Sequence, residues 1–502
     1  MKHIIVMPAL RMLALSAGMA LAGCAFAPPK QPPAPPSPKH YAAEATPSDS
    51  AKAGNVAQHF SLGARAVPQW WRLYGNDTLN AWVDEGLKHN ASLEANQHTL
   101  EAAHQLLRAQ VGSTLPSLDA GAQSSRQRAL GLPNAGPTTN LYDVYAGQLT
   151  LSYDFDLFGA ERHGIDQAAA QVDEQSYEVD AARRTLAANI VTTAVQAASL
   201  AEQVKTSERL AVLAHEQATL TEQAYRLGAA SHSEVLQAQQ EAAAADAALP
   251  PLRTQAEHAR HALAVLMGRT PDQAPTPLEL SQLQLPADVP VSVPSDLLQQ
   301  RPDVLAAEAT LRAASAKVGV ATANLFPKLS LSASLGTGGF QAAQLFTGAG
   351  SIWSTGLSLT QPIFHGGELM AERKAAIDEY NASLAQYRQT VLNAFQNVAD
   401  TLTALDQDAL TQQAAETEAS TAQQSFNETD SRYRLGALSY PATVASEQRW
   451  QSARLAQIQA RATRLADTAA LFQAMGTPNP PKPTVIRHPL GLPASPAAVA
   501  AR

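Results

Sequence analysis

His258 and His261 stand three positions apart in a stretch that reads as helix, a spacing at which two imidazoles can share one metal ion. No third ligand of suitable type lies nearby, so histidines on a solvated helix face are the better reading. Asp154 and Asp156 alternate along a strand-like run, where they would either bias a polar passage towards cations or cap the helix that follows. Two Tyr-Arg pairs, Tyr225-Arg226 and Tyr433-Arg434, each open the same five letters, YRLGA, 433 − 225 = 208 positions apart. A phenol supplies bulk, and a guanidinium can pair with carboxylates. The sequence contains no GxSxG, HExxH or CxxC and no phosphate-binding glycine loop. Neither an enzyme nor a cofactor or metal is expected.

The single cysteine, Cys24, closes a different pattern. Lys2 and Arg11 precede the apolar run MLALSAGMALA, which ends in Leu-Ala-Gly-Cys. A basic start, a short apolar core and small residues before the cut describe a secretory signal over 1–23. The ending resembles a bacterial lipobox, in which the cysteine becomes the lipidated first residue; a signal peptide with a chance cysteine is the plainer alternative. Ala25, where an Asp would retain such a protein at the inner membrane, favours the outer membrane under the sorting rules it resembles.

The 502 residues exceed one ordinary core, and the net charge of −8 gives no reason to expect a nucleic-acid partner. Aromatics are only 5%, while Ala and Gln crowd the middle segments, as in helices that pack closely on other helices. A Pro-rich tether at 28–38 and a polar arm fill 24–69. The run WWRLYGNDTLNAWVDEGLKHN then supplies aromatics to anchor that arm. A helical pattern covers about 78–112. Leu149, Leu151, Tyr153, Phe155 and Leu157 alternate with Thr150, Ser152, Asp154 and Asp156, the signature of a strand with one apolar face. LPSLDAGAQSSR is a weaker alternating run before it, and GLPNAGPTTN reads as the loop between them. A helix follows over about 160–226, ended by YRLGA, and a second runs over about 232–268.

After a Pro-rich linker, 269–294, the plan of 70–268 returns over 295–476, and 477–502 is a Pro/Ala-rich tail. Leu329, Leu331, Ala333 and Leu335 alternate with serines, and Leu357 and Leu359 with Ser358 and Thr360. A second rod fills about 368–434, and the last helix ends at Met475, again 475 − 267 = 208 positions beyond Met267.

These lengths constrain the architecture. Each rod is about 100 Å long. The return helix at 232–268 supplies roughly 55 Å and the helix from near 295 roughly 45 Å, so that stacked they match one rod. The same sum pairs 439–475 with 78–112. The linker, arm and tail should gather halfway along. No stretch after the signal approaches the roughly 20 apolar residues of a spanning helix. Four strands of about ten residues suit a tilted outer-membrane crossing, yet four cannot close a barrel and open edges are not tolerated in lipid. The chain must oligomerise, and a trimer gives twelve strands. The apolar row would then face lipid, and Thr150, Ser152, Asp154 and Asp156 a polar lumen.

The residues now match a known family. VPSDLLQQRPDVLAAEATLRAASAKVGVATANLFPKLSLSASLG (293–336), LSYDFDLFGAER, LTQPIFHGGEL, VLNAFQNVADTLTAL and both YRLGA copies resemble the outer-membrane factors, the TolC-like ducts of tripartite pumps, in their NodT-type lipoprotein branch. The resemblance runs from Trp70 to Gly476. It implies an α+β membrane protein, a homotrimeric 12-stranded β-barrel continuing into a long periplasmic α-helical barrel. It implies a periplasmic adaptor and an inner-membrane, usually proton-driven, transporter as partners. It places both YRLGA turns at the periplasmic tips, where the duct is constricted. Gly228 and Gly436 would turn the backbone there, beside Tyr225, Arg226, Tyr433 and Arg434. The family often carries an acid just past the glycine; Glu234 fills that place in the first copy, but Ala442 stands there in the second. Simple helix capping is the competing role for these residues.

The expected function is a passive exit duct for small toxic compounds. Metal-ion efflux and type I protein secretion are alternative cargoes. A periplasmic coiled-coil scaffold without a pore is an alternative of another class, which the paired strands in each repeat argue against.

Overall fold

The computed structural model describes residues 38, 40–41, 48–54, 56–130 and 139–485; Cys24, the signal segment, most of the tether and the 131–138 loop lie outside these. Two 67-residue helices dominate, α3 (Ala160–Arg226) and α7 (Glu368–Arg434), each about 100 Å long. They begin after glycines in the left-handed conformation, Gly159 (φ 86°) and Gly367 (φ 88°). Glu161 and Glu368 occupy their first turns and Arg226 and Arg434 their last, so both ends complement the helix dipole.

The pattern at 78–112 forms two helices, α1 (Asp77–His89) and α2 (Ala91–Ser113). Asn90 interrupts them with an extended backbone, and its side chain accepts from Leu93 N to restart the helix. The segment from 294 divides likewise into α5 (Pro294–Gln300) and α6 (Pro302–Ala323), because Arg301 precedes a proline and is driven out of helical geometry. The return helices are α4 (His232–Leu266) and α8 (Tyr440–Ala474).

The stacking differs from the pairing suggested by length. Helix α4 meets α2 rather than the helix near 295: Asn90 Nδ2 donates to Leu266 O at 3.1 Å. Gly268 (φ 79°) turns against His89, where a Cβ would strike the His89 carbonyl oxygen. Helix α8 meets α6: Thr477 N donates to Gln300 O at 2.7 Å, and Arg301 Nη1 to Ala474 O at 3.3 Å. Gly476 (φ 80°) makes the same close approach there, to Gln300. Lengths could not discriminate, since α2 has 23 residues and α6 has 22. Each repeat therefore closes on itself, as one rod beside one composite column.

Helix α3 packs against α2 and α4 on one side and α6 and α8 on the other, while α7 packs against α6 and α8. Buried alanines, among them Ala187, Ala188, Ala194, Ala197 and Ala198, allow α3 this close approach. The lateral order is α2/α4, α3, α6/α8, α7.

The main core lies where the columns join. Trp70, Tyr74, Ile190, Leu263, Met267, Val289, Leu297, Leu465 and Phe472 are buried in one cluster, with Trp70 stacked on Phe472 at 5.3 Å. Strand β1 (His59–Leu62) of the arm pairs in parallel with β4 (Asp288–Val291) of the linker, a small sheet not foreseen from the sequence. At one end of the rods stands the larger antiparallel sheet, in the order β2 (Ser117–Leu130), β3 (Thr139–Phe155), β5 (Lys328–Gly339), β6 (Ser351–Thr360). Its strands have 14, 17, 12 and 10 residues, the first three longer than expected.

Candidate functional site

The register of the larger sheet sorts its residues onto two faces, because directly opposed residues point the same way. One face carries the rows Ala120–Leu149–Leu335–Trp353, Tyr153–Leu331–Leu357 and Phe155–Leu329–Leu359. The other carries Asp119–Thr150–Ser334–Ser354, Ser117–Ser152–Ser332–Gly356 and Asp154–Ser330–Ser358. The apolar rows are open in the single chain, Trp353 being 73% and Leu357 66% exposed. Exposed apolar patches on this scale call for an apolar environment. No described helix is long and apolar enough to cross a membrane.

Thr150, Ser152 and Asp154 thus share the polar face. Asp156 does not: β3 ends at Phe155, and the Asp156 carboxylate accepts from Arg162 N at 3.0 Å and Arg162 Nε at 3.1 Å. It caps the first turn of α3, because four unpaired N–H groups and the positive dipole end lie directly ahead of it.

At the far end both YRLGA copies form the same turn. Gly228 N donates to Tyr225 O and Ala229 N to Ala224 O; Gly436 N donates to Tyr433 O and Ala437 N to Arg432 O. This double bond pattern needs a left-handed residue, supplied by Gly228 (φ 77°) and Gly436 (φ 76°). Leu227 and Leu435 stand out at the tips, 85% and 84% exposed. Tyr225 lies against His232, and Tyr433 against Tyr440 at 5.2 Å. Arg226 pairs with Glu222 at 3.0 Å and Arg434 with Asp430 at 2.8 Å, each acid one turn back on its own helix.

Glu234 is engaged locally. Its carboxylate accepts from Ser231 N at 2.6 Å and Ser231 Oγ at 2.9 Å, while Glu234 N donates to Ser231 Oγ, a capping box on α4. Those bonds from Ser231 hold its carboxyl below the usual glutamate range. At α8 the equivalent Ser439 makes no such side-chain bond, and Ala442 offers no acid.

Two ties between the hairpins escaped the sequence reading. Arg209 of α3 grips both oxygens of Glu447 of α8 through Nε and Nη2, and the Tyr440 hydroxyl donates to Glu216. Within the first hairpin, His215 meets Asp246 at 2.8 Å and Arg253 meets Glu208 at 2.7 Å. His261 lies 3.9 Å from Glu257, and no group of three or more metal-ligating side chains assembles among the described residues.

A sheet with one lipid-seeking face and one hydrophilic face, continued by paired 100 Å rods that turn at tight tips, defines the class of outer-membrane export ducts. The chain belongs to the outer membrane efflux protein family, whose profile matches residues 82–269 and 293–477. It is 31% identical over 422 residues to the pyoverdine export outer membrane protein OpmQ of Pseudomonas aeruginosa, covering 82% of this chain and 88% of that one. It is 28% identical to nodulation protein T of Rhizobium leguminosarum bv. viciae, with 89% of each covered. The solved outer-membrane channel OprN superposes with a TM-score of 0.77 at 26% identity, over 90% of this chain and 99% of that one. The protein is accordingly an outer-membrane efflux component with a long helical extension.

Proposed function

We propose that three copies close into a 12-stranded barrel and a continuous helical tunnel, forming a passive exit duct in a tripartite pump. The observation that carries this reading is the shared lateral order of sheet and rods. Strand β2 follows α2 at one edge, and α7 follows β6 at the other, so strand edge and helix edge are open on the same two sides. Open strand edges in lipid leave backbone groups unpaired, and head-to-tail closure of three copies removes them.

In that assembly Thr150, Ser152 and Asp154 line the lumen and the apolar rows meet lipid. Tyr225, Arg226, Tyr433 and Arg434 surround the periplasmic constriction. The exposed Leu227 and Leu435 offer a periplasmic adaptor its footing, and an inner-membrane, proton-driven transporter supplies the energy. Cys24 carries the lipid that adds a second anchor. The cargo is a small toxic compound, such as a drug or aromatic molecule, in keeping with efflux relatives.

Native mass spectrometry of the mature protein in mild detergent tests this directly. A trimer that conducts ions in a planar bilayer is expected. A stable monomer without conductance would return the chain to a scaffold role.

A further inference from the structure

Arg464 of α8 is fully enclosed, and every group it bonds is neutral. Its Nε donates to Gln58 Oε1 (3.1 Å), Nη1 to Ala53 O (3.4 Å) and Gln412 Oε1 (3.3 Å), and Nη2 to Ser50 Oγ (3.0 Å) and Val56 O (3.4 Å). Four of these acceptors belong to the N-terminal arm and one to α7. A single cation thus gathers the arm, α7 and α8 without touching a carboxylate.

The balancing charges, Glu416 and Asp408, both come from α7. Each Glu416 oxygen has a donor, Gly54 N on Oε2 and Gln412 Nε2 on Oε1, both at 2.8 Å. Asp408 is not: its Oδ2 is buried with no N–H or O–H donor directed at it. Helices α7 and α8 pack along each other, and the α8 group that acts on Asp408 is another acid, Asp467, one turn from Arg464. Two ionised carboxylates in that position repel and leave an oxygen unsatisfied. One proton between them supplies the missing donor.

We infer that Asp408 and Asp467 share a proton and clasp α7 to α8 beneath the N-terminal arm, and that losing this proton loosens the hairpin there. Desolvation, then the hydrogen bond to Asp467 and its charge, pushes the Asp408 carboxyl up to about 7, against the pull of Arg464. Asp467 and Arg464 of α8 act on Asp408; Glu416 of α7 acts on Arg464, and Asp467 in turn on Tyr74 of the aromatic turn at 70–74. Burial and the Asp467 charge hold the Tyr74 phenol far up, and its hydroxyl donates to Leu465 O at 2.7 Å. An acid with a raised folded-state pKa binds more proton folded than unfolded. The clasp is therefore complete in mild acid and is lost as pH rises through about 7.

Infrared difference spectra of the full-length protein in detergent, between about pH 5.5 and about pH 8.5, read the proton directly. A carboxylic-acid carbonyl band titrating near neutrality is expected, absent from both Asp408→Asn and Asp467→Asn. Amide-exchange protection of 49–62 should fall with rising pH in the wild type and lose that dependence in Asp408→Asn. No such band, a band that survives in Asp408→Asn, or an unchanged pH slope in that variant overturns the clasp. Should Asp408→Asn fail to assemble, Asp467→Asn carries the same comparison.

Discussion

Arg209 and Glu447 are joined by two parallel bonds of 2.7 Å, which tie the first helical hairpin to the second a few turns from the tips. Tyr440 adds a hydroxyl bond to Glu216 on the same seam. Arg209 is half exposed although Glu447 is mostly covered, and a surface pair of this kind contributes about 1 kcal/mol, so removing the ties should change stability little. Arg209→Ala with Tyr440→Phe should raise single-channel conductance in a planar bilayer while leaving the melting temperature nearly unchanged. Conductance at the wild-type level would show that the seam does not restrain the tips.

Tyr433 lies against Tyr440, and Arg434 pairs with Asp430 one turn back. The proposed constriction makes both residues candidates to limit the current. Tyr433→Ala with Arg434→Ser should also increase conductance, and more at low salt, where a fixed charge is least screened. An unchanged current at both salt concentrations would confine them to capping the helix.

Gly268 and Gly228 share the same backbone conformation, φ 79° and 77°, but only Gly268 faces a wall. Alanine at Gly228 should cost roughly 1–2 kcal/mol of backbone strain. Alanine at Gly268 adds a collision with His89 and should lower the thermal midpoint distinctly further. Equal shifts would mean that the α4–α2 junction yields easily.

Opposed faces of one strand give a sharper contrast. Leu331→Arg, on the apolar row, should cost about 2–4 kcal/mol if it lies at mid-bilayer and weaken heat-resistant assembly. Ser332→Arg, its neighbour on the polar row, should leave assembly intact and shift ion selectivity towards anions. The reverse outcome would invert the barrel.

Glu234 offers a pH test with a defined sign. Its folded-state carboxyl lies below its ordinary value, so its contribution is present above about pH 4.5 and fades as pH falls. Amide exchange at the start of α4 should speed up in acid more than at the start of α8, which has no such box. Ser231→Ala should remove the difference.

How much of this was legible in the sequence follows from the kind of signal. The rods at 160–226 and 368–434 stood out because proline-free runs between glycines leave no other reading, and the strand faces because their period is two. The break at Arg301 carried a signal in Pro302, and the one at Asn90 in its capping side chain, yet a continuous apolar pattern masked both. The stacking partners were hidden by the equal lengths of α2 and α6. Asp156 continued the strand's alternation while already serving the next helix. Arg464 and the Arg209–Glu447 seam had no local signature, since a charged residue in an Ala/Gln-rich helix looks the same whether it meets water or another chain segment.

The pairing of β1 with β4 carries a consequence for the order of assembly. The arm leaves the ribosome early, yet its strand partner follows 288 − 59 = 229 positions later and Arg464 lies 414 positions beyond Ser50. It can be seated only after nearly the whole chain has been made and exported. Until then the strand at His59–Leu62 and the acceptors that hold Arg464 lack the partners that fix them. Docking of the arm is therefore a late step in the folding of this chain, set by the distance along the sequence to its partners.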